Sequence, residues 1–497
     1  MRGPEIQVPS NIQQYIEEIL EYARDYGLDS FETIFEVVDY AQMNEFGAYG
    51  GFPGRFPHWR FGMEFQQISK GYEYGLHKIY EMVINNDPCY AYLLVSNNEV
   101  DQKIVIGHVF AHSDFFKNNL WFAHTDRNML NEMANHGTRI RNYIEKHGHS
   151  EVEDFIDICF SIENLIDLHQ PYIKRRQKTR SEEERARDAR AKKPFRLRSK
   201  QYMDPFINPR HLIEAERNGA EASSEAPEKF PEHPERDIML FLIEHAPLKN
   251  WQRDIASIIR EESYYFAPQG QTKIMNEGWA TYWHSRIMTE RALRDAELVD
   301  YADHHSGTLS TTPGRLNPYK LGVELFRDIE DRWNKGRFGK EYEQCDNMTE
   351  RKNWDLKLGF GRKKIFEVRR LYNDVTFIDE FLTPEFCEKH KLFTFRYNPA
   401  SNYYEIDSRK FKQIKEKLLF SLTNLGHPII FVEDGNYKNS GELLLRQVHE
   451  GVDLRMDQAR DVLRNIGRLW KRPVHLDTME NGKPKHLCFD GQDVRSQ

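Results

Sequence analysis

Cysteine is scarce in this chain. Only Cys89, Cys159, Cys345, Cys387 and Cys488 occur among 497 residues, with no C-x-x-C spacing. That excludes a disulfide framework or a thiolate zinc site and leaves buried free thiols as the expectation. Cys159, within DFIDICFSIENLI, reads as a core position. Its apolar neighbours would raise its pKa, which speaks against a Cys–His nucleophile. No stretch is apolar for long enough to span a bilayer. The N-terminal MRGPEIQVPSNIQQYIEEIL lacks a signal-peptide core, so a cytoplasmic location is expected. Excess positive charge is missing too: 70 Lys and Arg stand against 78 Asp and Glu, a net charge of -8. A nucleic-acid partner is therefore not expected. No G-x-S-x-G, G-x-x-x-x-G-K-[ST] or G-x-G-x-x-G occurs, which removes the hydrolase elbow, the Walker loop and the Rossmann fingerprint.

Aromatic residues, by contrast, are plentiful at 13%, and charged residues reach 30%, as in a globular chain with aromatic-rich cores and solvated helices. Residues 10–45 carry apolar residues at helical spacing behind a Ser10-Asn11 cap. A Gly/Pro/aromatic loop follows, then a helical pattern over 64–86. CYAYLLVSN reads as a strand and KIVIGH as its hairpin partner. Helical patterns follow over 125–147 and 151–168, and resume at Ile238. Residues 174–236 are charged, then rich in Ala, Glu, Ser and Pro, and read as a solvated helix and flexible linker inserted into one domain. From about residue 365 shorter alternating segments appear, among them LFTFRYN, YYEIDS, PIIFVEDGN and GELLLRQVHE.

The expected fold class is α+β: a large, mostly helical N-terminal domain with a small β-hairpin, followed by a smaller α+β C-terminal domain. Its expected segments are 1–173, the insertion 174–236, 237–360 and the tail 361–497.

The segment GHVFAHSDFF places His108 and His112 four residues apart. On a helix they share a face, the spacing with which one helix offers two nitrogens to one metal ion. The zinc-peptidase pattern H-E-x-x-H has a Glu after its first His, where this chain has Val109. A metal site is offered while the usual general base is withheld. Glu277, in Asn-Glu-Gly-Trp-Ala, is the expected third ligand; the string resembles the Asn-Glu-Gly-Phe-Ala of some zinc aminopeptidases. His284, seven residues on, shares its helical face and is a further candidate ligand. A single divalent metal (Zn, or Fe or Mn) is the first expectation and a dinuclear centre the second, because the Glu-x-x-His spacing of di-metal bundles is missing. Asp114, Glu262 and Glu163 are the candidate catalytic carboxylates. Glu132 and His136 also stand four apart, and His304-His305 are expected in a loop.

At these residues the chain resembles the stage V sporulation protein R (SpoVR) family. The strings that carry the likeness are PHWRFGMEF, YGLHKIYEMVINNDPCYAYL, HVFAHSDFFKNN, SIENLID, WQRDIASIIREESYYFAPQGQTKIMNEGWATYWH, LNPYKLGVELFRDIEDRWN, LYNDVTFIDEFLT, DGNYKNSGELLL and LWKRPVHLDT. The likeness covers nearly the whole chain outside 174–236. The resemblance implies a role in spore cortex formation or in stress and stationary-phase physiology. It also implies a PrkA-type serine kinase and a von Willebrand factor A (VWA)-like protein as partners. It supplies no catalytic residues, so the metal site rests on spacing. Two functions follow: a metal-dependent enzyme acting on amide or peptide bonds, or a non-catalytic regulatory or assembly protein.

Overall fold

The apolar run Ile104-Val105-Ile106 is helical, not the expected hairpin strand. It lies inside a helix spanning Glu99–Asn118, started by Asn98, whose side chain accepts from the Asp101 backbone N–H at 2.7 Å. An apolar run of this length suits a buried strand or a helix buried all round, and burial from Val100 to Phe116 supports the second. The structure, a computed structural model, describes residues 7–73, 81–173 and 229–496. Most of the expected charged insertion lies outside the described residues. No helix among the described residues is long and apolar enough to cross a membrane.

The chain forms two compact units. The first comprises residues 1–156 and 261–427. Its sheet runs in the order β1-β3-β2, with β1 (Thr33–Val38) parallel to β3 (Cys89–Leu94) and β2 (Glu81–Ile84) antiparallel to β3. The small hairpin is therefore β2–β3, and the helical readings over 10–45 and 64–86 are each interrupted by strand. The β-branched and aromatic residues of TIFEVV and CYAYLL suit a pleated, half-buried surface better than a helix. The core is built largely from the histidine helix Glu99–Asn118, the glutamate helix Lys273–Ile287, the helix Ser10–Asp25 and the helix Pro318–Lys335. Ile106, Val109, Phe110, Trp279, Trp283, Phe326 and Ile329 interlock there.

Burial of Ile365, Val368, Phe377, Ile378 and Phe381 in this same core draws the helices Gly361–Leu371 and Asp374–Phe381 into the first unit. The expected division after residue 360 is thus replaced by one after His427. The ribbon of β4 (Thr394–Asn398) and β5 (Tyr403–Ser408) also belongs to the first unit.

The second unit comprises residues 157–260 and 428–497. Its five-stranded sheet runs β10-β9-β8-β7-β6, built from β6 (Ile429–Tyr437), β7 (Glu442–Val448), β8 (Val474–Glu480), β9 (Lys483–Phe489) and β10 (Val494–Ser496). β7 and β8 are parallel, and the helix Met456–Trp470 links them. A Cβ at Gly467 of that helix would come 2.2 Å from the Phe489 ring, so only glycine permits the helix to lie this close to the sheet. An α+β architecture results, with helices dominating the first unit and a sheet the second.

Candidate metal centre

Two helices far apart in sequence are locked together before any site chemistry arises. Asp374 caps the glutamate helix, its Oδ2 accepting from Ile274 N at 2.8 Å and its Oδ1 from Met275 N at 2.9 Å. Asp114, on the histidine helix, accepts from Trp279 Nε1 at 2.9 Å and from the Asp29 backbone N–H at 2.8 Å, with Arg369 Nε 3.4 Å away. Fully buried, accepting from Trp279 and Asp29 and ion-paired with Arg369, Asp114 is a clamp between helices, not an available base. A Cβ at Gly278 would stand 2.4 Å from the Gly322 backbone, and one at Gly322 only 2.1 Å from Ile274 O. The helix Pro318–Lys335 therefore crosses the glutamate helix backbone to backbone, bringing Tyr319 to the site.

The clamped helices bring His108, His112 and Glu277 together. One ligand atom from each lies within 4.8 Å of the others. Glu277 Oε2 is 3.4 Å from His108 Nε2 and 3.5 Å from His112 Nε2. Ligands about 2.1 Å from a tetrahedral ion stand roughly 3.4 Å apart, so these separations fit a shared ion. Glu277 Oε2 is also buried without a hydrogen-bond partner, and both imidazoles are buried.

The outer nitrogens are already committed. His112 Nδ1 lies 2.8 Å from Asn276 Oδ1, an acceptor, so Nδ1 carries the proton and Nε2 turns a lone pair inward. His108 Nδ1 lies 2.9 Å from His284 Nδ1. Burial, followed by the charges of His108, His305 and His304, holds the His284 pKa well below the ordinary value, so neutral His284 accepts from His108 Nδ1–H. His108 Nε2 then also offers a lone pair. Burial, then His108, pushes His112 down to about 4. Burial opposes ionisation of Glu277, yet the facing imidazoles and Lys273, 3.6 Å from its Oε1, hold its carboxyl below the usual range. A neutral His112 facing an ionised Glu277 carboxylate fits the protonation pattern a divalent cation requires.

Beyond this group opens a cleft of about 800 Å³ whose lining includes Glu81, His108, Lys273, His284, Arg315 and Tyr319. Tyr319 lies near Glu277; burial, then the Glu277 and Glu81 charges, raises its pKa. The Glu81 carboxyl is pushed up by burial, an effect that His108 opposes and Glu277 reinforces.

The expected residues divide accordingly. His108, His112 and Glu277 converge; His284 touches His108 at the nitrogen turned away from Glu277. Val109 is buried in the core. Glu262 is held elsewhere, paired with Arg55 and 3.1 Å from His136 Nδ1, while Glu261 lies 3.5 Å from His136 Nε2. His136 thus meets those two glutamates. Glu163 belongs to the second unit. His304 and His305 sit on the helix Leu298–Thr308 instead of a loop, with His304 Nδ1 2.8 Å from Asp101 Oδ1. Sequence reasoning missed Glu81 and Tyr319. The Pro318 that starts the Tyr319 helix was a usable signal, whereas Glu81 lay inside an apparent helix.

Comparison with known proteins bears on this arrangement. A family model described as SpoVR like protein matches residues 7–427, and one described as SpoVR-like C-terminal domain matches residues 428–481. Their junction coincides with the division after His427. Uncharacterized protein YcgB of Escherichia coli (strain K12) is 30% identical over 493 residues, covering 93% of this chain and 91% of that protein. No solved structure matches.

Proposed function

The chain belongs to the SpoVR-like protein family, and from that premise we propose that it is a single-metal enzyme cleaving an amide or peptide bond. His108, His112 and Glu277 would hold the ion. The supporting observation is the orphaned Glu277 Oε2 at 3.4 and 3.5 Å from two inward imidazole nitrogens. Two imidazoles and a carboxylate suit zinc, and iron or manganese as well. Such an ion supplies Lewis acidity and an activated water. Asn276 and His284 are positioning residues that fix the imidazole tautomers from behind.

In this reading Glu81 takes the proton that an H-E-x-x-H glutamate would take elsewhere. A water oxygen bonds to the carbonyl carbon, the C–N bond breaks, and the proton passes through Glu81 to the leaving amine. The Tyr319 hydroxyl donates to the charge developing on the carbonyl oxygen. An amide of cell-wall or coat material, with a place in spore cortex formation or stress physiology, is the proposed setting. A PrkA-type kinase and a VWA-like protein are the proposed partners.

The test is amine release from N-acyl amides by the zinc-loaded full chain. Glu81→Gln is expected to lower kcat by about 100-fold or more with metal content unchanged. Equal turnover by Glu81→Gln would remove Glu81 from the chemistry. Metal-loaded wild type that releases no amine from any amide in the panel would favour the assembly role.

A further inference from the structure

Four residues of the metal cleft, Thr312, Arg315, Leu316 and Asn317, also line a second cavity of about 440 Å³. Both cavities lie within the first unit. Ligand pockets commonly fall at ~300–1,000 Å³, so the second is large enough for a substantial group. Its other walls are mainly apolar, with Leu321, Phe386, Leu392, Phe393, Ile414 and Leu418 lining it. Arg315, common to both cavities, and Lys320, in the apolar one, have no ion-pair partner among the described residues. An apolar chamber that shares the unpaired Arg315 with the cleft beside His108 selects a ligand with one greasy arm and one anionic group.

We infer that this cavity is the specificity pocket of the metal site, and that the substrate is an N-acyl amino acid or acyl-peptide. Its aliphatic chain fills the cavity, its carboxylate meets Arg315 and Lys320, and its amide lies over the metal cleft. The placement of the amide rests on the metal reading above; occupancy of the chamber does not. Leu316 and Asn317, on the wall between the cavities, would straddle the acyl–amide junction.

The pocket can be tested without turnover. Binding of N-dodecanoylglycine, N-acetylglycine and N-dodecanoylglycinamide to the full chain is measured by calorimetry, with metal content read on the same preparations. The dodecanoyl acid should bind at least about 100-fold more tightly than the acetyl acid, because each buried methylene adds to affinity. Ser421→Trp, on the chamber wall in the helix Phe411–Leu422, should close most of that gap by filling the space. Arg315→Ala should weaken the dodecanoyl acid several-fold while leaving the uncharged amide unaffected. Equal affinity for long and short chains, or a gap unchanged in a folded Ser421→Trp protein, would overturn the pocket. Chain-length dependence in wild type free of metal would instead uphold the chamber and overturn the metal reading.

Discussion

His136 is set between two carboxylates, Glu262 at 3.1 Å from Nδ1 and Glu261 at 3.5 Å from Nε2. Burial lowers its pKa, but its contacts to the Glu261 and Glu262 carboxylates, which accept from the ring, and their negative charges outweigh that and raise it to about 9. A histidine whose folded pKa exceeds its unfolded one stabilises fully below about pH 6.5 and loses that stabilisation as pH rises through about 9. Glu261 is half exposed, so solvent screening holds the effect to about 1–2 kcal/mol. The urea midpoint of wild type should therefore fall relative to His136→Gln between pH 6 and pH 9.5. A constant difference would show that the pair of glutamates does not hold the proton. Residues at the candidate metal centre differed in legibility. His108 and His112 were readable because helical spacing alone puts them on one face, and Glu277 because its neighbours form a distinctive string. Glu81 was not, since its place beside His108 depends on β2 pairing with β3, a tertiary fact. Asp114 read as a free acid because its partners Trp279, Asp29 and Arg369 come from remote parts of the chain.

At the scale of elements, the site depends on how closely two helices cross. The glutamate helix Lys273–Ile287 and the helix Pro318–Lys335 meet at Gly278 and Gly322 with no room for a Cβ. Gly322→Ala would have to move backbone, since the obstructing atom is Ile274 O. Overpacking of this kind costs about 1–3 kcal/mol. The melting temperature of Gly322→Ala should fall by several degrees, accompanied by weaker metal retention, because Glu277 and Tyr319 flank the crossing. A variant that melts like wild type would mean the helices can separate freely. Asn98 before Glu99, Asn317-Pro318 before Tyr319 and Asn373 before Asp374 are local start signals that the sequence reading does not use, and Asn98 falls within the expected hairpin instead. The histidine helix misled because Ile104, Val105 and Ile106 have strand-like propensity, which burial on all sides overrode.

At the scale of the molecule, the α+β class was readable from the change of texture along the chain, but the grouping of segments was not. Short alternating runs from about residue 365 suggested one tail domain over 361–497, whereas β4 and β5 stay with the first unit and β6 to β10 build the second. Partners such as Ile365 and Phe377, buried with Trp279 and Phe326, meet only in three dimensions. The first unit thereby carries every residue of the proposed centre and of its acyl chamber. The most direct measurement is elemental analysis of the purified full chain by plasma mass spectrometry, wild type beside His112→Ala and Glu277→Ala. The predicted result is a stoichiometric divalent ion in wild type, lost from both variants while their circular dichroism spectra stay native. Metal-free wild type, or equal metal in all three proteins, would contradict a centre held by His108, His112 and Glu277.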